Sequence, residues 1–402
     1  MSDLSPGVAG IAVGLRDNAH TKTAALGRND SEDAPLPIAA CVGMSFWKRR
    51  RIAEFLRAQG ESPRFCRTVR GAIGTARARS GAIAAWASRL PAGLAEAAAE
   101  HGIPLIRVED GFIRSVGLGS DFLPAVSLVF DRSGMYYDPR TRSDLESILR
   151  ETVFDAAMRE RAQRLIAKLV ARGVTKYNLA VGPAEIDWPA AKRRILVPGQ
   201  VEDDLSVRFG GGRVRSNLEL LARVRGGSPD AFIVFKPHPD VAAGHRIGAV
   251  PERIARDFAD VVVEDASTAA LIDAVDEVHT LTSLTGFEAL LRGKRVVCYG
   301  TPFYAGWGLS EDHGGIDRGR RLSLEELAAG TLILYPRYLD PVTGRACGPE
   351  LIIDRLDDAA LWRAGPLVTL RRLQGMAARR WREAWLRLSG PRRVQRRAAA
   401  RH

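Results

Sequence analysis

The sequence predicts an α/β protein made of two Rossmann-like domains that face a cleft. At 402 residues the chain is too long for one ordinary hydrophobic core. Short apolar runs alternate with helix-like segments along most of the chain, which is typical of parallel sheets covered on both faces. The connection "GPAEIDWPAAKR" interrupts this alternation, so we expect one domain over 36–185 and a second over 186–350.

The first domain is predicted from its apolar runs and helix signals. Its strands are "IAACVG", "GAIAAWAS" and "IPLIRV", and its helices "WKRRRIAEFLRAQ" and "PAGLAEAAAEHG", the second with Pro at its start and Gly at its end. "AVSLVFD" and "GMYYD" predict a β-hairpin, and Ser143 with Glu146 predicts a capping box. A helix over about 156–171 is expected to close the domain.

The second domain repeats the alternation. Its predicted strands are "RILVPG", "AFIVFKP", "VVVE", "EVHTL" and "RVVCYG", and its predicted helices are "NLELLARVR", "ASTAALIDAV" and "GFEALLRG". Ligands of open α/β sheets bind beyond the carboxyl ends of the strands, so we expect the chemistry at those ends.

Both termini differ from this body. Residues 1–35 lack periodicity and are expected to be poorly ordered, whereas 351–402 predict a helical, Arg-rich tail. Ten of the twelve excess positive charges lie in 371–402, where eleven arginines and one acid surround Trp381 and Trp385. This pattern suits an anionic membrane surface, with a solvated terminus as the alternative. The body is nearly neutral, which argues against nucleic-acid binding.

Composition also indicates the compartment. No run of 18 uncharged apolar residues predicts a membrane span, and the N-terminus has no secretory pattern. The four cysteines form no CxxC, which favours reduced cytosolic thiols and argues against a zinc site. We therefore expect a cytoplasmic protein that attaches peripherally to the inner membrane through its tail.

Two acidic clusters follow predicted strands. In "RVEDGFIRS", Glu109 ends a strand beside Asp110, and Gly111 permits a tight turn and close approach of a ligand. A carboxyl beside Phe112 should have a raised pKa, which suits a general acid or base, although a turn or N-cap explains the stretch as well. In "PGQVEDDLSVRFGGG", acids again follow a strand; a helix N-terminus decorated with acids is the alternative.

Two further clusters suit an anion. In "FKPHPD", Lys236 and His238 lie two apart in an extended chain and point to one side, which suits an anionic leaving group better than a core histidine. In "LTSLTGFEALL", Ser283, Thr285 and Gly286 open a helix and predict a phosphate site, or else an ordinary N-cap. The chain has neither GxxxxGK[ST] nor GxGxxG after a first strand, so a P-loop NTPase or dinucleotide oxidoreductase is not supported.

Taken in order, these motifs resemble the bacterial capsule polysaccharide β-Kdo glycosyltransferases of the Kps/Lip type. The resemblance runs from "GMSFWKRR" through "EDGFIRS", "SLVFDRSGMYYDPRTRSDLE", "KYN", "PGQVEDDLS", "KPHPD", "TSLTGFEALLRGK" and "PFYAGWGL" to "YPRYLDPVTG". It implies a GT-B-like fold and retaining transfer of Kdo (3-deoxy-D-manno-octulosonic acid) from CMP-β-Kdo. The implied acceptor is a lipid-linked oligo-Kdo at the inner face of the inner membrane.

The resemblance also implies roles for the predicted residues. Glu109 falls where the family places an acid/base carboxylate, and Asp204 where related retaining enzymes place a nucleophile, with Asp203 as the alternative. His238 holds or protonates the leaving phosphate. The remaining roles are donor and phosphate binding by Lys236, Ser283, Thr285, Gly286 and Gln200, and binding of substrate carboxylates by Arg114 and Arg208.

Some expectations concern partners. The departing group is already a phosphoryl anion and no DxD lies between apolar residues, so we predict no metal and no cofactor. Each motif occurs once where many relatives carry two modules. We therefore expect one linkage type, with a partner enzyme and other capsule biosynthesis proteins as partners, or else a role in a different surface glycan. The alternatives are an inverting CMP-sialic-acid-like or UDP-sugar transferase and a non-catalytic capsule assembly or export factor.

Overall fold

The computed structural model describes residues 36–116, 125–176, 178, 182, 185–244, 246–358 and 361–362. Within these residues the strands form two sheets, one of seven strands and one of six. The N-terminal segment 1–35 and the part of the predicted tail over 363–402 lie outside the described residues.

The first sheet begins with the predicted strands. Its elements up to residue 171 are β1 (Ile38–Val42), α1 (Phe46–Arg57), β2 (Arg64–Phe65), α2 (Val69–Ala78), β3 (Ala82–Trp86), a 3-10 turn (Ala87–Arg89), α3 (Leu94–Glu100), β4 (Leu105–Asp110), β5 (Ser127–Asp131), α4 (Asp144–Glu151) and α5 (Ala156–Ala171). Every position of β1, β3 and β5 is buried, which explains why they read as continuous apolar runs. Ser143 caps α4 by accepting from the Glu146 amide at 3.1 Å.

The predicted hairpin around 132–134 is wrong. β5 pairs antiparallel with β4 instead, and the residues after it form a turn. The reason is the carboxylate of Asp131, whose Oδ1 accepts from the amides of Ser133 and Gly134 at 3.0 and 2.7 Å. Those amides are therefore used in the turn and cannot pair in a strand ladder.

The second sheet contains all five predicted strands and is parallel throughout. Its elements are β6 (Arg194–Pro198), α6 (Leu205–Gly210), α7 (Asn217–Gly227), β7 (Phe232–Lys236), α8 (Pro239–Ala242), α9 (Glu252–Ala255), β8 (Val261–Val262), α10 (Thr268–Ala274), β9 (Glu277–Thr280), α11 (Leu284–Leu291), β10 (Arg295–Cys298) and β11 (Glu311–Asp312). The strand order is β11-β10-β9-β6-β7-β8. Helices connect the consecutive strands from β6 to β10, as parallel crossovers require, whereas β10 and β11 are joined by turns.

After β11 the chain returns to the first sheet. The elements are α12 (Leu324–Ala328), a π-helical turn (Ala329–Leu334), β12 (Pro336–Leu339), β13 (Ala346–Cys347) and α13 (Pro349–Leu356). β12 pairs antiparallel with β5, and β13 with β12, so the first sheet is mixed and has the order β13-β12-β5-β4-β3-β1-β2. The predicted end of the second domain at 350 is therefore corrected, because the strands of 336–347 cover the open edge of β5.

The two sheets share one apolar cluster. Phe112, which follows β4, packs against Phe303 at a centroid distance of 4.9 Å and against Phe287 of α11 at 6.4 Å. This contact joins the carboxyl end of the first sheet to a helix of the second. The predicted α/β architecture with two sheets is thus confirmed for the described residues.

Candidate active site

A cavity of about 780 Å³ lies at the carboxyl ends of both sheets. The residues that follow β1, β3, β4, β6, β7 and β9 line it, as expected for open α/β sheets. Nine of the ten predicted site residues line this one cavity: Glu109, Arg114, Gln200, Asp204, Arg208, Lys236, His238, Ser283 and Thr285. The tenth, Gly286, is absent from the lining.

Glu109 supplies a buried carboxyl from the first sheet. Its Oε1 accepts from the Asp110 amide at 3.3 Å, and its Oε2 is buried with no hydrogen-bond partner among the described residues. Burial and the neighbouring charge of Asp110 raise the pKa of Glu109 to about 7. A carboxyl with this pKa gains and loses a proton near neutral pH, which is what general acid/base chemistry needs.

Asp110 is the ionised partner of this pair. Its Oδ2 accepts from Arg114 Nε at 2.9 Å and lies 3.5 Å from Lys48 Nζ. Burial alone would raise the pKa of Asp110, but Arg114 and Lys48 hold it well below its usual range. The two adjacent carboxyl groups therefore differ near neutral pH: Asp110 is charged, and Glu109 exchanges its proton.

Arg114 is committed to Asp110. The residue is 1% exposed, and besides Asp110 its Nη1 donates to Ser115 Oγ at 2.8 Å. Arg208, the other predicted carboxylate ligand, is exposed on α6 at the cavity. The structure therefore places Arg114 in support of the acid pair and leaves Arg208 as the more accessible of the two guanidinium groups.

Gly111 has a packing role. A Cβ at this position would overlap the side chain of Ser127 on β5, and the Gly111 amide donates to the Ser127 carbonyl at 3.0 Å. The sequence predicted close approach of a ligand here, but the close approach is to β5. The glycine lets β4 and β5 stay in contact where the acid pair faces the cavity.

Asp204 approaches from the second sheet. It lies after β6 as the N-cap of α6, and its Oδ2 accepts from Ser206 Oγ at 2.7 Å. Asp203 is 48% exposed and pairs with Arg246 at 3.2 Å. Asp204 is thus the more enclosed of the two candidate nucleophiles, and no basic side chain of the described residues forms an ion pair with it.

Tyr136 and Tyr137 lie near both acids. They follow β5 and line the cavity. Burial raises the pKa of each hydroxyl, and the charges of Glu109 and Asp204 raise it further. Both acids and both phenols line the same cavity, so the acids from the two sheets face a common space.

His238 projects from the loop after β7. It is the N-cap of α8, and its Nδ1 accepts from the Asp240 amide at 3.1 Å. Burial lowers the pKa of His238, so the ring is neutral at neutral pH and its proton resides on Nε2. The ring can donate one hydrogen bond through Nε2 to a ligand in the cavity.

Lys236 is buried, and its amine is hydrogen-bonded within the protein. It is 6% exposed, and its Nζ donates to the Glu264 carbonyl at 3.0 Å. Burial lowers the pKa of this amine. Lys236 and His238 both line the cavity, as predicted from their spacing.

Gln200 joins two strand ends. Its Oε1 accepts from the Thr282 amide at 2.9 Å, and its Nε2 donates to Thr282 Oγ1 at 3.0 Å. Because its amide is used in these bonds, Gln200 fixes the end of β6 against the loop after β9. It positions the loop that carries the predicted phosphate site.

Ser283 and Thr285 form the start of α11. Ser283 Oγ accepts from the Thr285 amide at 3.2 Å, so the ordinary N-cap interpretation holds for this pair. Gly286 is corrected: a Cβ there would overlap the phenol of Tyr304, whose hydroxyl donates to the Ser283 carbonyl at 2.5 Å. The absence of a side chain at Gly286 therefore leaves room for Tyr304 to form a hydrogen bond with the loop that carries Ser283.

Three residues at the cavity were missed by the sequence analysis: Lys48, Lys176 and Glu288. The Lys176 amide donates to Glu288 Oε1 at 2.8 Å, and the Lys176 carbonyl accepts from the Arg114 amide at 3.2 Å. The backbone of Lys176 therefore contacts both the loop after β4 and the helix α11. Burial raises the pKa of Glu288 to about 7. Lys48 lies in "SFWKRRR" and Lys176 in "KYN", so membership in these motifs was the available signal.

Two kinds of structure are absent from the described part of the chain. There, no three side chains of His, Cys, Asp or Glu are grouped to hold a metal ion. Over the same residues, no helix combines the length and apolar character that crossing a membrane requires.

The family model described as "Capsule polysaccharide biosynthesis protein" matches residues 81–338. The chain is 46% identical over 312 residues to the capsule polysaccharide modification protein LipA of Neisseria meningitidis serogroup A, covering 77% of this chain and 44% of LipA. It thus spans less than half the length of that relative.

Two solved structures from Thermosulfurimonas dismutans are similar to this chain. One is the KpsC β-Kdo 2,7 transferase, with 37% identity and a TM-score of 0.64, covering 80% of this chain and 99% of that one. The other is the KpsC β-Kdo 2,4 transferase, with 30% identity and a TM-score of 0.68, covering 81% and 98%. Both likenesses cover about four fifths of this chain.

Proposed function

Since the chain belongs to the capsule polysaccharide biosynthesis protein family, we propose that it is a retaining glycosyltransferase acting on Kdo. The donor is CMP-β-Kdo, and the acceptor is a lipid-linked oligo-Kdo of a capsule or surface polysaccharide. The observation that carries this proposal is the meeting of Glu109, Asp204 and His238 in one cavity between two sheets. The likeness to two β-Kdo transferases supports the choice of sugar.

The second sheet supplies the donor side. The N-terminus of α11, with Ser283 and Thr285, directs its dipole toward the cavity and suits the phosphate of CMP. His238 donates through Nε2 to the same phosphate, and Lys236 adds a positive charge behind it. The neutral ring favours holding the leaving group over protonating it.

The first displacement uses Asp204. Its carboxylate attacks C2 of the sugar, the bond from C2 to the phosphate oxygen breaks, and CMP leaves with the electron pair. The product is an ester between the sugar and Asp204. Ser206 orients the attacking carboxylate by donating to Oδ2.

The second displacement uses Glu109. As a carboxylate it takes the proton of the acceptor hydroxyl, whose oxygen attacks C2 and releases Asp204. Two inversions give net retention. The pKa of Glu109 at about 7 allows the carboxyl to accept this proton and return it to solvent near neutral pH.

The remaining parts of the proposal concern the surroundings of the enzyme. We propose transfer without a divalent metal, since the phosphate leaves as an anion held by the groups above. Attachment to the anionic inner-membrane surface would use the Arg-rich part of the tail over 371–402, which lies outside the described residues. Other capsule biosynthesis proteins would supply the acceptor and extend the product.

The test uses purified protein, CMP-Kdo and a short synthetic Kdo acceptor, with the product linkage and anomeric configuration read by NMR. With acceptor withheld, Glu109→Gln should accumulate protein heavier by one Kdo in intact-mass spectra, because water, the nucleophile that remains, then lacks a base to activate it against the ester. Glu109→Gln/Asp204→Asn should not, and Glu109→Gln/Asp203→Asn is the matched control that still should.

Each contrary result would indicate a different mechanism or function. An adduct that persists without Asp204 but disappears without Asp203 would move the nucleophile by one residue. A product of inverted configuration would favour the inverting alternative. Wild-type transfer by alanine variants of Glu109, Asp204 and His238 would remove the catalytic proposal.

A further inference from the structure

Lys48 occupies a confined position beside the acid pair. It lies in the first turn of α1, and its Nζ is 3.2 Å from the centroid of the Trp86 ring and 3.5 Å from Asp110 Oδ2. Its side chain is only 16% exposed. A cation between an aromatic face and a carboxylate is held by both, so the charge of Lys48 is kept beside the acid pair.

Asp110 is equally fixed. Arg114 Nε and Lys48 Nζ both face Oδ2, while Oδ1 is buried without a partner among the described residues. The Asp110 amide donates to Glu109 Oε1, which ties the two acids together at the end of β4. A permanent negative charge therefore lies next to the one carboxyl that the proposed transfer needs in two protonation states.

Charged and titratable groups face Glu109 from several elements. The basic groups are Lys48 of α1, Arg114 of the loop after β4, and Lys176 of the segment after α5. The acid is Asp110 of β4, and the phenols are Tyr136 and Tyr137 of the turn after β5. Asp110 is the negative charge on the adjacent residue, and its amide donates to Glu109 Oε1. Lys48 and Lys176 are positive charges that both lower the pKa of Glu109; Lys48 precedes it in the chain and Lys176 follows it.

We propose that Asp110 and Lys48 are positioning residues that set the proton affinity of Glu109 in opposite directions. The fixed negative charge of Asp110 retains a proton on Glu109, and the fixed positive charge of Lys48 weakens that hold. The balance leaves Glu109 able to exchange its proton near neutral pH. The use made of that proton rests on the proposed function, whereas the electrostatic balance does not.

This balance predicts that removing one charge or the other shifts the ionisation of Glu109 in opposite directions. Asp110→Asn removes the negative charge, so Glu109 should ionise at lower pH. Lys48→Met removes the positive charge but keeps an unbranched chain against Trp86, so Glu109 should ionise at higher pH. Each midpoint should move by about one pH unit, the effect of a charge at this range. A loss of packing would not move the midpoint in opposite directions in the two variants.

The experiment titrates Glu109 directly in the full chain. Protein labelled with carbon-13 at the glutamate carboxyl carbon is followed by NMR across pH, and the Glu109 signal is identified by its disappearance in Glu109→Gln. Asp203→Asn is the matched control, because it breaks an ion pair at the same cavity without acting on Glu109. Transfer rates with CMP-Kdo are measured across pH for the same variants.

The outcomes separate the two proposals. Opposite movements of the Glu109 midpoint, with no movement in Asp203→Asn, support the inference even if no transfer is found, in which case only the proposed function fails. If transfer occurs, the limb of its pH profile that Glu109 sets should move with the NMR midpoint. Midpoints that stay within about 0.2 pH unit of wild type in both Lys48→Met and folded Asp110→Asn would overturn the inference.

Discussion

The guanidinium of Arg140 stacks on the ring of Phe209, with Cζ 3.6 Å from the ring centroid. Arg140 is held in this orientation by Asp138, which accepts from Nε at 2.8 Å and from Nη2 at 2.7 Å. The turn that carries Arg140 also carries Tyr136 and Tyr137, and Phe209 belongs to the helix that begins at Asp204. The stack therefore connects the two sides of the cavity beside its acids.

We expect Arg140→Ala to lower kcat/KM for CMP-Kdo by about 2- to 5-fold, the loss expected for an exposed cation–π contact. Its side chain is 59% exposed, so the thermal midpoint should stay near that of wild type. Arg140→Lys keeps the charge without the planar group and should recover only part of the activity. Steady-state kinetics check this, and wild-type kcat/KM in Arg140→Ala would show that the stack does not serve the reaction.

His238→Gln should retain more activity than His238→Ala. A glutamine amide can still donate near the position of Nε2, whereas alanine removes the donor. We expect a loss of about 10- to 100-fold in kcat for alanine, the range for one hydrogen bond to a charged group. Because burial keeps the pKa of His238 below its usual value, no change of rate from this ring is expected above neutral pH.

The measurement is kcat and KM for the donor across pH. If both His238 variants lost the same amount, near 10⁴-fold, the ring would be acting as a proton donor to the leaving group. The neutral tautomer described above would then not be the reactive one.

Glu288 should make stability depend on pH. Its pKa is raised to about 7, so the folded carboxyl keeps a proton that the unfolded chain releases near its ordinary pKa. The folded state thus binds more protons in this window, and stability falls as pH rises through it, by about 1–3 kcal/mol for this group. Glu288→Gln keeps an acceptor for the Lys176 amide and has no proton to lose.

Urea unfolding at about pH 5 and about pH 8 measures this effect in wild type and Glu288→Gln. Glu109 contributes in the same direction, so the variant should lose part of the pH dependence and Glu109→Gln/Glu288→Gln most of it. An unchanged difference between the two pH values in Glu288→Gln would contradict the burial argument.

β6, β7 and β10 could be predicted from sequence because each is a short, largely buried apolar run bounded by Gly, Pro or charged residues. β12 could not, since its pairing with β5 joins residues about 200 positions apart and leaves no local pattern. The hairpin prediction failed for a related reason. The turn after β5 is set by the carboxylate of Asp131, which apolar periodicity does not register.

The residues of the candidate site also divide into those that could be predicted from sequence and those that could not. Residues that follow strands were found because strand ends converge on one edge, and Glu109, Asp204 and His238 all belong to this class. Lys48 and Glu288 lie within helices, where a single charged residue looks like ordinary surface. Gly286 was assigned to the ligand because a glycine after Ser-Leu-Thr looks the same whether a phosphate or the phenol of Tyr304 requires the space.

The return of 336–347 to the seven-stranded sheet has a consequence for engineering. A chimera that exchanges the half containing the six-stranded sheet between relatives cannot be made with a single crossover point, because the polypeptide enters and leaves that half. Two junctions are needed, one in the connection before β6 and one between β11 and β12. A recombinant fragment that stops before β12 would expose the ladder edge of β5 and is expected to aggregate.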